Sequence, residues 1–168
     1  GIIGINLGMF LNTQKEGELA SVMCHELAHL SQRHFARSQN RNSPLANALM
    51  ILGSIAVAAA SRNPEAILIA PAAMQQMSIN YTRSNEKEAD RIGFNNLVKA
   101  GFNPDDMTMM FQRMQDKYQN EDSEQFSYLM THPLPSERLT DMRIRADGLK
   151  NNSKNSFRDN LDFYLMQK

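Results

Sequence analysis

Residues 25 to 29 read His-Glu-Leu-Ala-His, and this pentapeptide constrains the fold more than any other stretch because its chemistry works only on a helix. On a 3.6-residue repeat His25 and His29 lie close to one turn apart, so both imidazoles can reach one metal ion, while Glu26 sits about 100° round the axis. A carboxylate in that position can take a proton from water at the metal without being a ligand, an arrangement suited to metal-assisted hydrolysis. The chain has four histidines in 168 residues, so chance is a poor explanation for the spacing.

The flanks supply the helix. Thr13-Gln14-Lys15-Glu16 reads as a capping box that starts it at Thr13, and Leu19, Met23, Leu27 and Leu30 recur at three and four residues, which predicts an apolar stripe facing a core. Before it, Ile3, Ile5, Leu7 and Met9 alternate with Gly4, Asn6 and Gly8, the period of a half-buried strand. A chain that opens inside such a strand predicts a processed or truncated N-terminus.

At this length one domain can bury most of its apolar surface, so a metal is not needed for folding. Eighteen basic residues balance eighteen acidic ones, and without a long basic run nucleic acid is not expected as a partner. The single cysteine, Cys24, excludes an internal disulfide and a cysteine-rich metal site. It reads as a small packed residue.

Downstream, residues 45 to 60 are almost wholly apolar, but short for a membrane span, and a second apolar stretch, 66 to 73, contains Pro71. Two short helices are expected. Two readings stay open for them: a buried or groove-covering pair able to act as a lid, or peripheral contact with a membrane surface or an unfolded client. Residues 77 to 100 have helical periodicity closed by Gly101, and Asn103-Pro104 opens another helix whose Met107, Met110 and Met114 read as core. A polar loop, 118 to 125, leads to His132-Pro133-Leu134-Pro135, a stiff turn after which Ser136 caps a helix through Ile144. The Asn-rich run from 149 to 156 reads as a linker, and 158 to 167 is amphipathic again.

A catalytic zinc takes three protein ligands and leaves a fourth position open. The third donor is sought in Glu86-Lys87-Glu88-Ala89-Asp90, where Glu86 and Asp90 share a helix face. Spacing alone barely separates Glu86 from Glu88 and Asp90. His34, about 140° off the His25 and His29 face, is read as structural.

His-Glu-Leu-Ala-His at 25 to 29, Asn-Glu-Lys-Glu-Ala-Asp-Arg-Ile-Gly at 85 to 93 and Thr-His-Pro-Leu-Pro-Ser-Glu-Arg at 131 to 138 together resemble metallopeptidase family 48. The family includes prenyl-protein proteases and membrane heat-shock proteases, and the stretch Leu30 to His34 is most similar to its periplasmic members that support outer-membrane protein assembly. The resemblance implies an α+β, predominantly helical zincin-like fold with a small N-terminal strand region. It implies a zinc metalloendopeptidase with one zinc ion on His25, His29 and Glu86 and with Glu26 as general base, which leaves Asp90, one turn on from Glu86, to accept the outer N–H of a ligating histidine.

It further implies a metallopeptidase domain over 1–149 and, over 150–168, a linker and first helix toward a helical-repeat domain. Polypeptide substrates, unfolded outer-membrane proteins and their assembly machinery are the expected partners, and the periplasm the expected compartment. A rival reading is a chaperone-like assembly module with a latent or structural zinc. His132, Arg138, Tyr81 and Tyr128 are the available donors to a developing oxyanion, and His132 is alternatively a fourth zinc ligand that holds the enzyme latent.

Overall fold

The computed structural model describes residues 4–5, 7–41, 43–120, 132–150 and 161–166. Its helices are α1 (Leu7–Asn12), α2 (Glu16–Ser31), α3 (His34–Arg41), α4 (Pro44–Ser61), a 3-10 turn (Pro64–Leu68), α5 (Ile69–Lys99), α6 (Pro104–Asn120), α7 (Ser136–Lys150) and α8 (Leu161–Met166). They fall into two compact units, one of residues 1–32 with 86–168 and the other of residues 33–85.

No strand occurs among the described residues. Gly4 and Ile5 have no regular structure and the chain is helical from Leu7, so the alternation expected through Leu7 and Met9 is broken there, while residues 1–3 and 6 lie outside the described residues. Thr13 does not start α2 either. Its hydroxyl donates to the Phe10 carbonyl at 2.8 Å and its amide to Met9 O at 3.2 Å, closing α1. Helix α2 begins three residues later behind an extended Lys15, and it is Glu18, not Glu16, that accepts from the Gln14 amide, at 2.7 Å.

The core of the first unit gathers Met9, Val22, Phe94, Leu97, Met107, Met110, Phe111, Met114, Leu139, Met142 and Ala146. The methionine stripe of α6 is therefore packing, a use that its flexible, unbranched thioethers suit. Cys24 packs against the same cluster, and burial pushes its thiol above the ordinary value. Helix α2 meets this core on an unexpected face. Gly17, Glu18, Ser21, Val22, His25 and Ala28 are buried, whereas Met23, Leu27 and Leu30 of the expected stripe are exposed. The fully buried Glu18 accepts from Arg113 of α6, Nη2 to Oε1 at 3.0 Å and Nε to Oε2 at 3.3 Å, which fixes the rotation. A buried carboxylate left without that partner is costly, so polar pairing overrides the weak apolar stripe.

In the second unit Ser43 caps α4, its hydroxyl accepting from the Ala46 amide at 3.4 Å, and Asn63 accepts from the Glu65 amide at 3.0 Å at the start of the 3-10 turn. The apolar stretch expected to form a short helix over 66–73 instead runs into the next one. Pro71 lies in the first turn of α5, where its missing N–H and fixed φ cost little, and the helix continues unbroken to Lys99. Gly101, at φ 87°, ends it with Phe102 N donating to Leu97 O at 3.2 Å.

Helix α6 extends to Asn120, through the first residues of the expected loop, and α7 runs past Ile144 to Lys150. Most of the expected loop and linker lies outside the described residues. Phe163 of α8 is buried, its ring edge-on to Phe10 at 5.7 Å between centroids, so α8 packs on α1 within the first unit.

Candidate metal centre

All the charged and imidazole groups of the centre belong to the first unit. Helix α2 contributes His25, Glu26 and His29, the C-terminal part of α5 contributes Glu86 and Asp90, the turn before α7 contributes His132, and the first turn of α7 contributes Arg138.

The helices meet closely because Gly93 lies at the contact. A Cβ added there would come within 3.0 Å of both Cα and N of His25 and 3.1 Å of the Cys24 carbonyl carbon. Backbone cannot yield as a flexible side-chain tip can, so a hydrogen at this position of α5 sets how near Glu86, two turns earlier, comes to His25.

Four residues, His25, His29, Glu86 and His132, each offer a ligand atom within 4.8 Å of one another. His25 Nε2 and His29 Nε2 are 2.9 Å apart. Glu86 Oε2 is 3.3 Å from His25 Nε2, and Oε1 is 3.2 Å from His29 Nε2 and 3.0 Å from His132 Nδ1. Ligands about 2.0–2.1 Å from a tetrahedral ion lie roughly 3.4 Å from one another, so these separations fit a single small cation. Imidazole nitrogens with one carboxylate suit zinc better than calcium or magnesium, which prefer oxygen sets.

Glu26 stands beside the group and outside it. Its Oε1 is buried and receives no hydrogen bond among the described residues, and His132 Nε2 lies 3.5 Å from it. Glu88, half-buried on another face of α5, is not part of the group. Neither is His34, which is buried at the start of α3 in the second unit.

A charged scaffold stands behind the donors. Asp90 Oδ1 is 2.9 Å from His25 Nδ1, directing the other ring nitrogen, Nε2, toward the group. Arg138 donates to Asp90 twice, Nε to Oδ2 at 2.6 Å and Nη2 to Oδ1 at 2.7 Å. Its Nη1 reaches Glu86 Oε2 at 2.9 Å and donates to the Pro133 carbonyl at 2.5 Å, and its guanidinium lies 5.2 Å from the centre of the Phe111 ring. With every nitrogen engaged and the residue 4% exposed, this guanidinium positions other groups; it does not face outward as a donor to substrate.

Burial alone would depress the His25 imidazole, but the neighbouring Asp90 and Glu86 carboxylates outweigh it and push the pKa up to about 8. Burial would raise Glu86, yet hydrogen bonds from His132, His25 and His29 and the Arg138 charge hold it far below the carboxylate range. Asp90 is held low in the same way by His25 and Arg138 against its burial. Both carboxylates therefore stay anionic, the state a cation needs.

Of the expected oxyanion donors, His132 is beside the group, Arg138 is behind it, Tyr81 belongs to the second unit and Tyr128 lies outside the described residues. Sequence reasoning missed Gly93, whose only signal is a small residue two helical turns after Glu86, and the bidentate Arg138–Asp90 pair, which spans 48 positions.

Comparison with known proteins agrees with this geometry. The putative beta-barrel assembly-enhancing protease of Vibrio cholerae is 48% identical over 151 residues, covering 87% of this chain and 31% of that protein. The beta-barrel assembly-enhancing proteases of Yersinia pestis and Escherichia coli K12 are each 39% identical, over 170 and 159 residues, covering 96% and 89% of the chain and 34% and 31% of those proteins. The chain thus spans about a third of the length of these relatives. A family profile described as peptidase family M48 matches residues 1–146, and the chain belongs to that family of metal-dependent peptidases.

Proposed function

We propose that this chain is the catalytic part of a zinc endopeptidase of the His-His-Glu type, with one zinc ion per chain, that acts in the periplasm on misfolded or stalled outer-membrane proteins. The reading is carried by the convergence of His25, His29, Glu86 and His132 with an unligated carboxylate, Glu26, beside them. A purely structural zinc site has no use for that carboxylate. The relatives' printed names, which join a protease to β-barrel assembly, support the choice of substrate and compartment.

Zinc, when bound, lowers the pKa of water to about 7 and polarises the scissile carbonyl. His25, His29 and Glu86 hold it. Asp90 fixes the tautomer of His25, and Arg138 keeps Asp90 and Glu86 in register and compensates their charge. Glu26 takes the proton of the attacking water and delivers it to the leaving amine.

His132 gives this reading its second form. As a fourth ligand His132 would fill the position that water needs, and the chain would then be latent as a peptidase and serve as an assembly module. Metal analysis of the purified protein with cleavage of an unfolded casein substrate tests the proposal. About one zinc per chain and hydrolysis that vanishes in Glu26→Gln are expected. Cleavage that survives in Glu26→Gln, or a protein that takes up no zinc, overturns it.

A further inference from the structure

Residues 42–61 and 66–82 contain no charged side chain, and the structure leaves much of their apolar surface in water. Helix α4 is 18 residues long with a mean hydropathy of 1.7, yet only 11% of it is buried. Ser54 and Ala58 are its buried positions, while Leu45, Leu49, Ile51, Leu52, Ile55 and Val57 are exposed. Ile67, Leu68, Ile69 and Met77 continue the exposed surface along the returning arm. Exposed apolar side chains in this number along two successive segments mark an interaction site.

Charge selects the partner. Residues 33–85 carry five arginines, at 33, 37, 41, 62 and 83, and a single acid, Glu65, a net charge of +4 in a chain whose total is zero. The remaining residues have 13 basic and 17 acidic side chains, so the cationic character is confined to this unit. A cavity lined by Asn47 and Met50 of α4 and by Met74, Met77 and Tyr81 of α5 shows the start of α4 opposite the later part of the returning arm. The arms are antiparallel, with Arg41 and Arg83 at their open end and Arg62 at the turn.

We propose that this helical hairpin is a peripheral membrane-binding element that lies in the headgroup layer of an anionic phospholipid bilayer, its leucines and isoleucines in the acyl boundary and its arginines on lipid phosphates. An apolar helical surface with arginines at both ends fits that interface. Arg62 and Glu65 at the turn oppose passage to the far side, so the hairpin binds one leaflet and does not span. The proposal is independent of catalysis, and Glu26→Gln protein binds the same membranes.

The test is co-sedimentation of the full chain with vesicles of phosphatidylcholine alone or with about one-third phosphatidylglycerol. Binding to the anionic vesicles is expected, weakened about five-fold by each of Arg62→Gln and Arg83→Gln, and by about ten-fold or more in Leu49→Glu/Leu52→Glu. The chain has no tryptophan, so Leu52→Trp gives a sole tryptophan, excited apart from the tyrosines, that brominated lipids quench on insertion. Absence of wild-type binding to anionic vesicles, binding indifferent to Leu49→Glu/Leu52→Glu, or an unquenched Trp at position 52 each overturns the proposal.

Discussion

Arg138 holds Asp90 through two parallel hydrogen bonds, 2.6 and 2.7 Å long, in a site where the two side chains are 4% and 1% exposed. The same guanidinium reaches Glu86 at 2.9 Å, so one cation compensates both buried carboxylates. Removing it leaves two anions to be stabilised by imidazoles alone. Arg138→Gln is expected to destabilise the fold by about 3–5 kcal/mol, as breaking a buried ion pair from one side does, measured by chemical unfolding of the metal-free protein. Arg138→Lys should recover only part of the loss, because an ammonium cannot make the paired contact. Full stability in Arg138→Lys would count against the bidentate geometry as the source.

Gly93 gives a prediction whose sign opposes intrinsic propensity. In an exposed helix Gly→Ala stabilises by about 1 kcal/mol, but here the new methyl group would meet backbone atoms of His25 and Cys24 at 3.0 to 3.1 Å. Gly93→Ala should cost about 1–3 kcal/mol through overpacking and weaken metal binding with it, since α5 carries Glu86. Thermal unfolding and metal titration of the same variant check both. A stabilised Gly93→Ala protein would show that α5 can move away from α2 freely.

The ligand assignment is tested by metal content. His25→Ala, His29→Ala and Glu86→Ala each remove a donor of the convergent group and should deplete zinc, whereas Glu88→Ala should not, because Glu88 stands outside the group. Asp90→Ala should lower affinity by about 10 to 100-fold through loss of the His25 orientation. Depletion in Glu88→Ala with zinc retained in Glu86→Ala reverses the assignment.

What the sequence reveals here follows the range of each interaction. His25, Glu26 and His29 are legible because one helical turn fixes their relation whatever the rest of the chain does. The metal-facing side of α5 is harder: Glu86, Glu88 and Asp90 all fit a helix, and only contacts with α2 and α7 separate them. The strand expected at the N-terminus is not found among the described residues, where the chain is helical from Leu7, and the stripe of Met23, Leu27 and Leu30 is exposed. Alternation and periodicity report which side chains could be buried, but Glu18 with Arg113, and His25 with Asp90, decide which face of α2 is. Leucine in water costs less than an unpaired buried carboxylate.

His132 separates two outcomes of opposite sign. Its Nδ1 lies 3.0 Å from Glu86 Oε1 and its Nε2 lies 3.5 Å from Glu26 Oε1, so the ring stands between a proposed ligand and the proposed base. It is held there by a turn with two prolines, Pro133 and Pro135, and by the bond from Arg138 to the Pro133 carbonyl. A ring in that position obstructs both the water site and the carboxylate that must take its proton. If it is a latch, His132→Ala raises basal cleavage of a short peptide at unchanged zinc content, because three donors remain and the fourth position opens. If instead it donates to the oxyanion, the same substitution lowers turnover by about 100 to 1,000-fold. We expect the increase. Paired measurement of zinc content and peptide turnover in His132→Ala distinguishes them, and activity at or below wild type with zinc retained would reject the latch.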